Sequence, residues 1–131
     1  MSGKDTSMTI KHAFAKLPAQ DSARARQFYS EHFGFEPHRE VHGHLTYDIA
    51  GVELVIFPSS GKPSGDHDQF GLIVDDLEAE LARLKSEGVE FPRFEMDGVR
   101  EDGVLDLGFM QAAWFRDSEG NLISIAQRNS T

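Results

Sequence analysis

The sequence predicts an α+β protein made of two βαβββ modules. Three observations carry that prediction. The order strand, helix, three strands runs once before the loop "PSSGKPSGD" and again after it. Each helix opens on an aspartate and closes on a glycine, Asp21 with Gly34 and Asp76 with Gly88. The stretches "GVELVIF" and "GNLISIA" end the two halves alike. A repeated unit of this kind implies a pseudo-symmetric structure with a cleft between equivalent sheets.

The first strand is expected over residues 10–17, "IKHAFAKL", where alternation sets His12 and Phe14 on one face and Ala13 and Ala15 on the other. "DSARARQFYSEHFG" follows as a helix. Asp21 suits its N-cap, Gly34 its C-terminal stop, and Ala25, Phe28, Tyr29, His32 and Phe33 form its apolar stripe. Three short strands are expected near residues 35–41, 45–49 and 52–57, separated by turns at "HGH" and "AG".

In the second half "QFGLIVDD" reads as a strand and "DLEAELARLKSEG" as a helix with Leu77, Leu81 and Leu84 on one face. "VEFPRFEM" reads as the next strand, and residues 97–108 as a long, acidic, glycine-bearing loop of the kind that often serves as a lid or binding loop. "FMQAAWFRD" and "NLISIAQ" are the last two strands, joined by the turn "DSEGN". The domain is expected to span residues 10–128, as a module at 10–58, a loop at 59–66 and a module at 67–128. Residues 1–9 are polar and are expected to be unstructured.

Composition narrows the function. With 131 residues the chain can bury a core without staples, and it has no cysteine for disulfide or thiolate chemistry. No apolar run approaches the ~18 residues of a membrane span. "MSGKDTSM" lacks the apolar core of a secretory signal, so a cytoplasmic location is expected. The net charge of −9 argues against nucleic-acid binding and reads first as a solubility device, second as an attraction for a cationic ligand. No nucleophile triad, phosphate loop or dinucleotide fingerprint is present.

Three stretches carry a resemblance. "LPAQDSARARQFYSEHFGFEP" and "GLIVDDLEAELARLKSEGVEF" resemble the two helix units of the vicinal oxygen chelate superfamily, and "AWFRDSEGNLISIAQ" resembles its closing hairpin. That superfamily includes glyoxalase I, extradiol dioxygenases, fosfomycin-resistance enzymes and bleomycin-resistance proteins. The resemblance covers residues of about 10 to 128 and implies a half-barrel cleft of the glyoxalase/bleomycin-resistance/dioxygenase type, and a homodimer.

In metalloenzymes of this group four side chains, His or Gln on first strands and Glu on last strands, hold a divalent metal with open positions for substrate oxygens. Spacing to Asp21, Asp76 and Asp117 places the corresponding positions at Phe14, Gln69 and Ser124, and the repeat sets Val55 opposite Ser124. Phenylalanine and valine cannot ligate a metal, and glutamine and serine are weak neutral donors. The resemblance thus implies a cleft without the usual metal site, so no cofactor is expected.

The ligand-binding cleft is expected to comprise Phe14, Tyr47, Val55, Phe57, Gln69, Trp114 and Ser124. Trp114 is the only tryptophan and offers a ring for stacking on a planar or cationic ligand. The leading expectation is metal-independent binding of a small organic molecule, as in the bleomycin-resistance branch. The alternative steps two residues back along three strands to His12, Glu53 and His67, the donors of a divalent-metal facial triad. That would make the protein a lyase, isomerase or dioxygenase. A metal-free lyase or isomerase would use Glu53 or His67 as base.

Overall fold

A computed structural model describes residues 8–129, so part of the expectation for residues 1–9 lies outside the described residues. The chain is α+β. In order it forms β1 (Ala15–Ala19), α1 (Ser22–Phe33), β2 (Arg39–Val41), β3 (His44–Ile49) and β4 (Val52–Pro58), then β5 (Phe70–Ile73), α2 (Leu77–Ser86), β6 (Leu105–Asp106), β7 (Met110–Arg116) and β8 (Leu122–Arg128). Two four-stranded sheets result, ordered β1-β4-β3-β2 and β5-β8-β7-β6. Each pairs its first strand in parallel with its last and its remaining strands antiparallel.

The helices start and stop where their caps dictate. The Asp21 side chain accepts from the Arg24 N–H and the Asp76 side chain from the Ala79 N–H, each satisfying a donor that the first turn cannot. Gly34 closes α1 at φ 68°, left-handed backbone that favours glycine. Two-residue turns, both residues at positive φ, close the first module's hairpins: His42 and Gly43 between β2 and β3, Ala50 and Gly51 between β3 and β4.

Two expected strands need correction. The first begins at Ala15 rather than residue 10, because its only neighbour, β4, begins at Val52 and leaves residues 10–13 little to pair with. "VEFPRFEM" forms no strand. Pro92 has no N–H for a ladder, Val89 and Phe91 pack into the core instead, and the Arg116 N–H to Glu90 C=O bond, 3.1 Å, ties the segment to β7. The sheet's last strand comes from the expected acidic loop: Leu105 and Asp106 pair with Ala112 and Gln111.

The core lies between the two sheets. Tyr29 of α1 packs edge-on against Tyr47 of the first sheet, ring centroids 6.5 Å apart, while Phe33 of the same helix stacks on Phe115 of the second at 4.9 Å. Leu77, Leu81 and Leu84 of α2 are buried in the same cluster with Ile123 and Ile125. Each such side chain contributes about 1.5–3 kcal/mol of burial. Both sheets therefore turn one face toward the helices and this shared core.

A polar seam locks the modules. The turn "DSEGN" is buried: Asp117, Glu119 and Asn121 are 7%, 5% and 0% exposed. Asp117 accepts from Tyr29 Oη (2.7 Å), Asn121 Nδ2 and the N–H groups of Glu119 and Asn121. Glu119 accepts from Arg24 (2.7 Å) and the Asp21 N–H (2.9 Å), and Asn121 donates to the Pro18 carbonyl. The closing hairpin of the second module is thereby fastened to the first strand and first helix.

Candidate functional site

Strand alternation and register define the outward face of the first sheet. Leu17, Leu45, Leu54 and Ile56 point to the core, so their neighbours point out. One row across the sheet reads Lys16, Val55, Thr46, Arg39. Phe57 and Glu53 flank Val55 on the same face. Phe14, just before β1, is 51% exposed. Together with Val41, His42 and His44 these side chains, Phe57 excepted, line an open depression of about 540 Å³, to which the second module contributes nothing.

Its polar groups are distinctive. His12 Nε2 lies 3.0 Å from Glu53 Oε1. The Lys16 ammonium sits 4.5 Å above the Phe57 ring, and neither Lys16 nor Arg39 has a carboxylate within 4.0 Å among the described residues.

The second sheet presents a matching outward row, Gly71, Ser124, Trp114. A Cβ on Gly71 would stand 2.8 Å from Ser124 Oγ, so only glycine leaves that hydroxyl uncovered. Trp114 is half-buried, its ring edge-on to Phe94 at 5.4 Å.

The expected site residues therefore divide. Phe14, Val55 and Phe57 share the outward face of the first sheet, and Ser124 and Trp114 that of the second. Gln69 is held within its own sheet, donating to Asn121 Oδ1 (3.1 Å) and accepting from the Leu122 N–H. Tyr47 is a correction: it sits opposite Leu54 on the core face and is 1% exposed, so it cannot wall the cleft. Its hydroxyl is buried with no hydrogen-bond partner among the described residues, and burial pushes its pKa up to about 12. Lys16, Arg39, Thr46 and His44 were not expected in the site. Alternation along β3 could have found the last two, and the register that places the others does not show in a sequence.

The donor set does not fit the metal that the resemblance brings to mind. Two of the usual positions are hydrocarbon, and Gln69 spends its amide internally. Two members of the displaced triad come together: His12 and Glu53 meet, while His67 is exposed with Nδ1 3.0 Å from the carbonyl of the next residue, Asp68. No group of three metal-ligating side chains occurs among the described residues. No helix of the described residues is long and apolar enough to cross a membrane.

A second depression, about 560 Å³, opens on the helix side between Phe33, Ile49, Val52, Phe70, Leu72 and Arg83. None of the expected site residues lines it.

Residues 9–125 match the family model described as Glyoxalase/Bleomycin resistance protein/Dioxygenase superfamily. Among solved structures, the chain is similar to TnmS3, an antibiotic binding protein from Streptomyces sp. CB03234, at 29% identity and TM-score 0.67, over 94% of this chain and 100% of that one. It is similar in fold to the genomically encoded fosfomycin resistance protein FosX from Listeria monocytogenes, at 16% identity and TM-score 0.71, over 93% and 96%. A glyoxalase/bleomycin resistance protein/dioxygenase from Alicyclobacillus acidocaldarius aligns at 19% identity and TM-score 0.68, over 90% and 91%. No curated protein matches the chain.

Proposed function

Since the chain belongs to the glyoxalase/bleomycin resistance protein/dioxygenase superfamily, we propose that it is a metal-independent binding protein for a small organic molecule, held in an apolar-aromatic cleft that two copies build together. The supporting observation is the outward face of the first sheet. Where metalloenzymes of this type carry metal ligands, this chain presents Phe14 and Val55 at the wall of an open depression. An apolar concavity with a few fixed polar groups is what small-molecule sites are made of. TnmS3, the antibiotic binding protein, supports the same reading by likeness.

The two-copy cleft follows from the layers. Within one chain Phe14, Val55 and Phe57 lie on the outward face of one sheet and Ser124 and Trp114 on that of the other, and the depression beside Phe14 takes no side chain from the second module. The edge strands β1 and β5 lack a neighbour on one side. Apolar side chains are exposed on and beside these surfaces: Phe14 51%, Val41 50% and Ile73 53%. A twofold dimer that sets the first sheet of one copy against the second sheet of the other brings Phe14 and Val55 opposite Ser124 and Trp114.

A second reading is favoured by one observation, the 3.0 Å His12–Glu53 pair. A metal-dependent lyase, isomerase or dioxygenase would need His67 of the partner subunit as third donor. Metal content measured by mass spectrometry on tag-free protein, after incubation with Fe(II), Mn, Ni or Zn, decides between them. The binding reading predicts substoichiometric metal that His12→Ala does not change. Stoichiometric metal lost on His12→Ala would overturn it.

A further inference from the structure

We propose that the ligand taken by this cleft is an organic anion, an apolar body bearing a carboxylate or similar acidic group, bound between Lys16 and Arg39. The inference rests on the small-molecule reading and names its ligand class, reversing the preference that net charge alone suggests. Lys16 and Arg39 end the same cross-strand row, with Val55 and Thr46 between them. Neighbouring strands lie about 4.8 Å apart, so three steps separate the two backbones by roughly 14 Å. The Lys16 ammonium rests over the Phe57 ring, and both side chains are long enough to swing over that gap to one acidic group at its centre.

Three features argue that this is more than a solvated surface. Acidic residues outnumber lysine and arginine by 22 to 13 in this chain, so a face carrying two cations without a carboxylate partner among the described residues runs against its composition. Most arginines are neutralised: Arg24, Arg26, Arg83, Arg93, Arg100 and Arg116 each have a carboxylate within 4.0 Å, while among the described residues Arg39 and Arg128, at the end of β8, have none. The one carboxylate lining the depression, Glu53, is occupied by His12 rather than by Lys16 or Arg39. His42 and His44 stand at the same rim and add hydrogen-bond donors. Aromatic and aliphatic walls from Phe14, Val55 and Val41 suit the body of the ligand, and a planar guanidinium suits its carboxylate.

Three probes that share a naphthyl body test this by titration calorimetry on the full chain: 2-naphthoate, its isostere 2-naphthamide, and the cation 2-naphthyltrimethylammonium. The expected result is that the acid binds at least about tenfold more tightly than the amide, the cation most weakly, and that raising salt erodes the preference. Lys16→Gln and Arg39→Gln should each weaken the acid about five- to tenfold, with a smaller effect on the amide. Equal affinity for acid and amide, or a preference that survives in the Lys16→Gln/Arg39→Gln double variant, overturns the anion inference and leaves the small-molecule reading standing. No binding of any probe at millimolar concentration overturns that reading and the inference with it.

Discussion

Gly71 stands directly beside Ser124, and the space a Cβ would fill there is 2.8 Å from the serine Oγ. Gly71 leaves the hydroxyl uncovered on the side of the neighbouring strand. Gly71→Ala should force Ser124 off its rotamer at a cost of about 0.5–1.5 kcal/mol. Urea denaturation checks this: Gly71→Ala lowers stability, and adding Ser124→Ala, which removes the clashing oxygen, restores most of the loss.

Tyr29 and Asp117 join the modules through a 2.7 Å hydrogen bond between residues buried on both sides. Tyr29→Phe removes one of the four donors that satisfy this carboxylate. The expected loss is about 1–3 kcal/mol, the range for a buried group deprived of a partner. Thermal or denaturant unfolding reads it directly, and an unchanged midpoint would contradict the seam's role.

Acid should loosen the same seam through Glu119. Burial pushes its carboxyl up, but donors from Arg24, the Asp21 N–H and Ser118 outweigh burial and hold it below its ordinary 4.5. A depressed folded-state value means that the unfolded chain takes up the proton more readily. The stability Glu119 contributes is therefore complete above about pH 4.5 and lost as pH falls through the folded value. Asp117 works the other way. Burial raises its carboxyl despite its donors, so its contribution is present at low pH and lost as pH rises through its folded value. Unfolding measured from pH 7 to pH 3 should show a decline that Glu119→Gln flattens while lowering stability at pH 7.

Ala50 holds φ 51° in the turn before Gly51, a conformation that costs an ordinary L residue about 1–2 kcal/mol. Asparagine tolerates it and makes the favoured Asn-Gly pair of a two-residue hairpin. Ala50→Asn should raise stability by about 0.5–1 kcal/mol, visible as a higher midpoint in urea.

The parts legible in the sequence were those set by local chemistry. The caps at Asp21 and Asp76 and the stop at Gly34 announce both helices, and alternation announces β3, β4, β7 and β8. What escaped depends on partners distant in the chain. Leu105–Asp106 is a strand only because β7 lies beside it, and "VEFPRFEM" has strand composition but a proline where a donor is needed. Tyr47 is amphipathic, so its own chemistry suits either face, and its register against Leu54 decides for the core. "DSEGN" has the polarity of an exposed turn, yet Tyr29, Arg24 and Pro18 bury it from the other module. The Lys16–Arg39 row spans four strands and exists only once the sheet is assembled.

The central claim is a small-molecule cleft shared between two copies, and mixing two damaged variants tests it most directly. Phe14→Asp spoils the wall from the first module and Trp114→Asp the wall from the second. Each variant alone should fail to bind 2-naphthoate. Unfolded and refolded together in equal amounts, half of the dimers pair one variant with the other, and each of these has one cleft with both walls intact. The account predicts recovery of about one quarter of the wild-type binding capacity, at wild-type affinity, by titration calorimetry. Separately folded controls establish that each variant alone still forms dimers. No recovery from the mixture, with dimers formed, would place the cleft within a single chain and contradict the account.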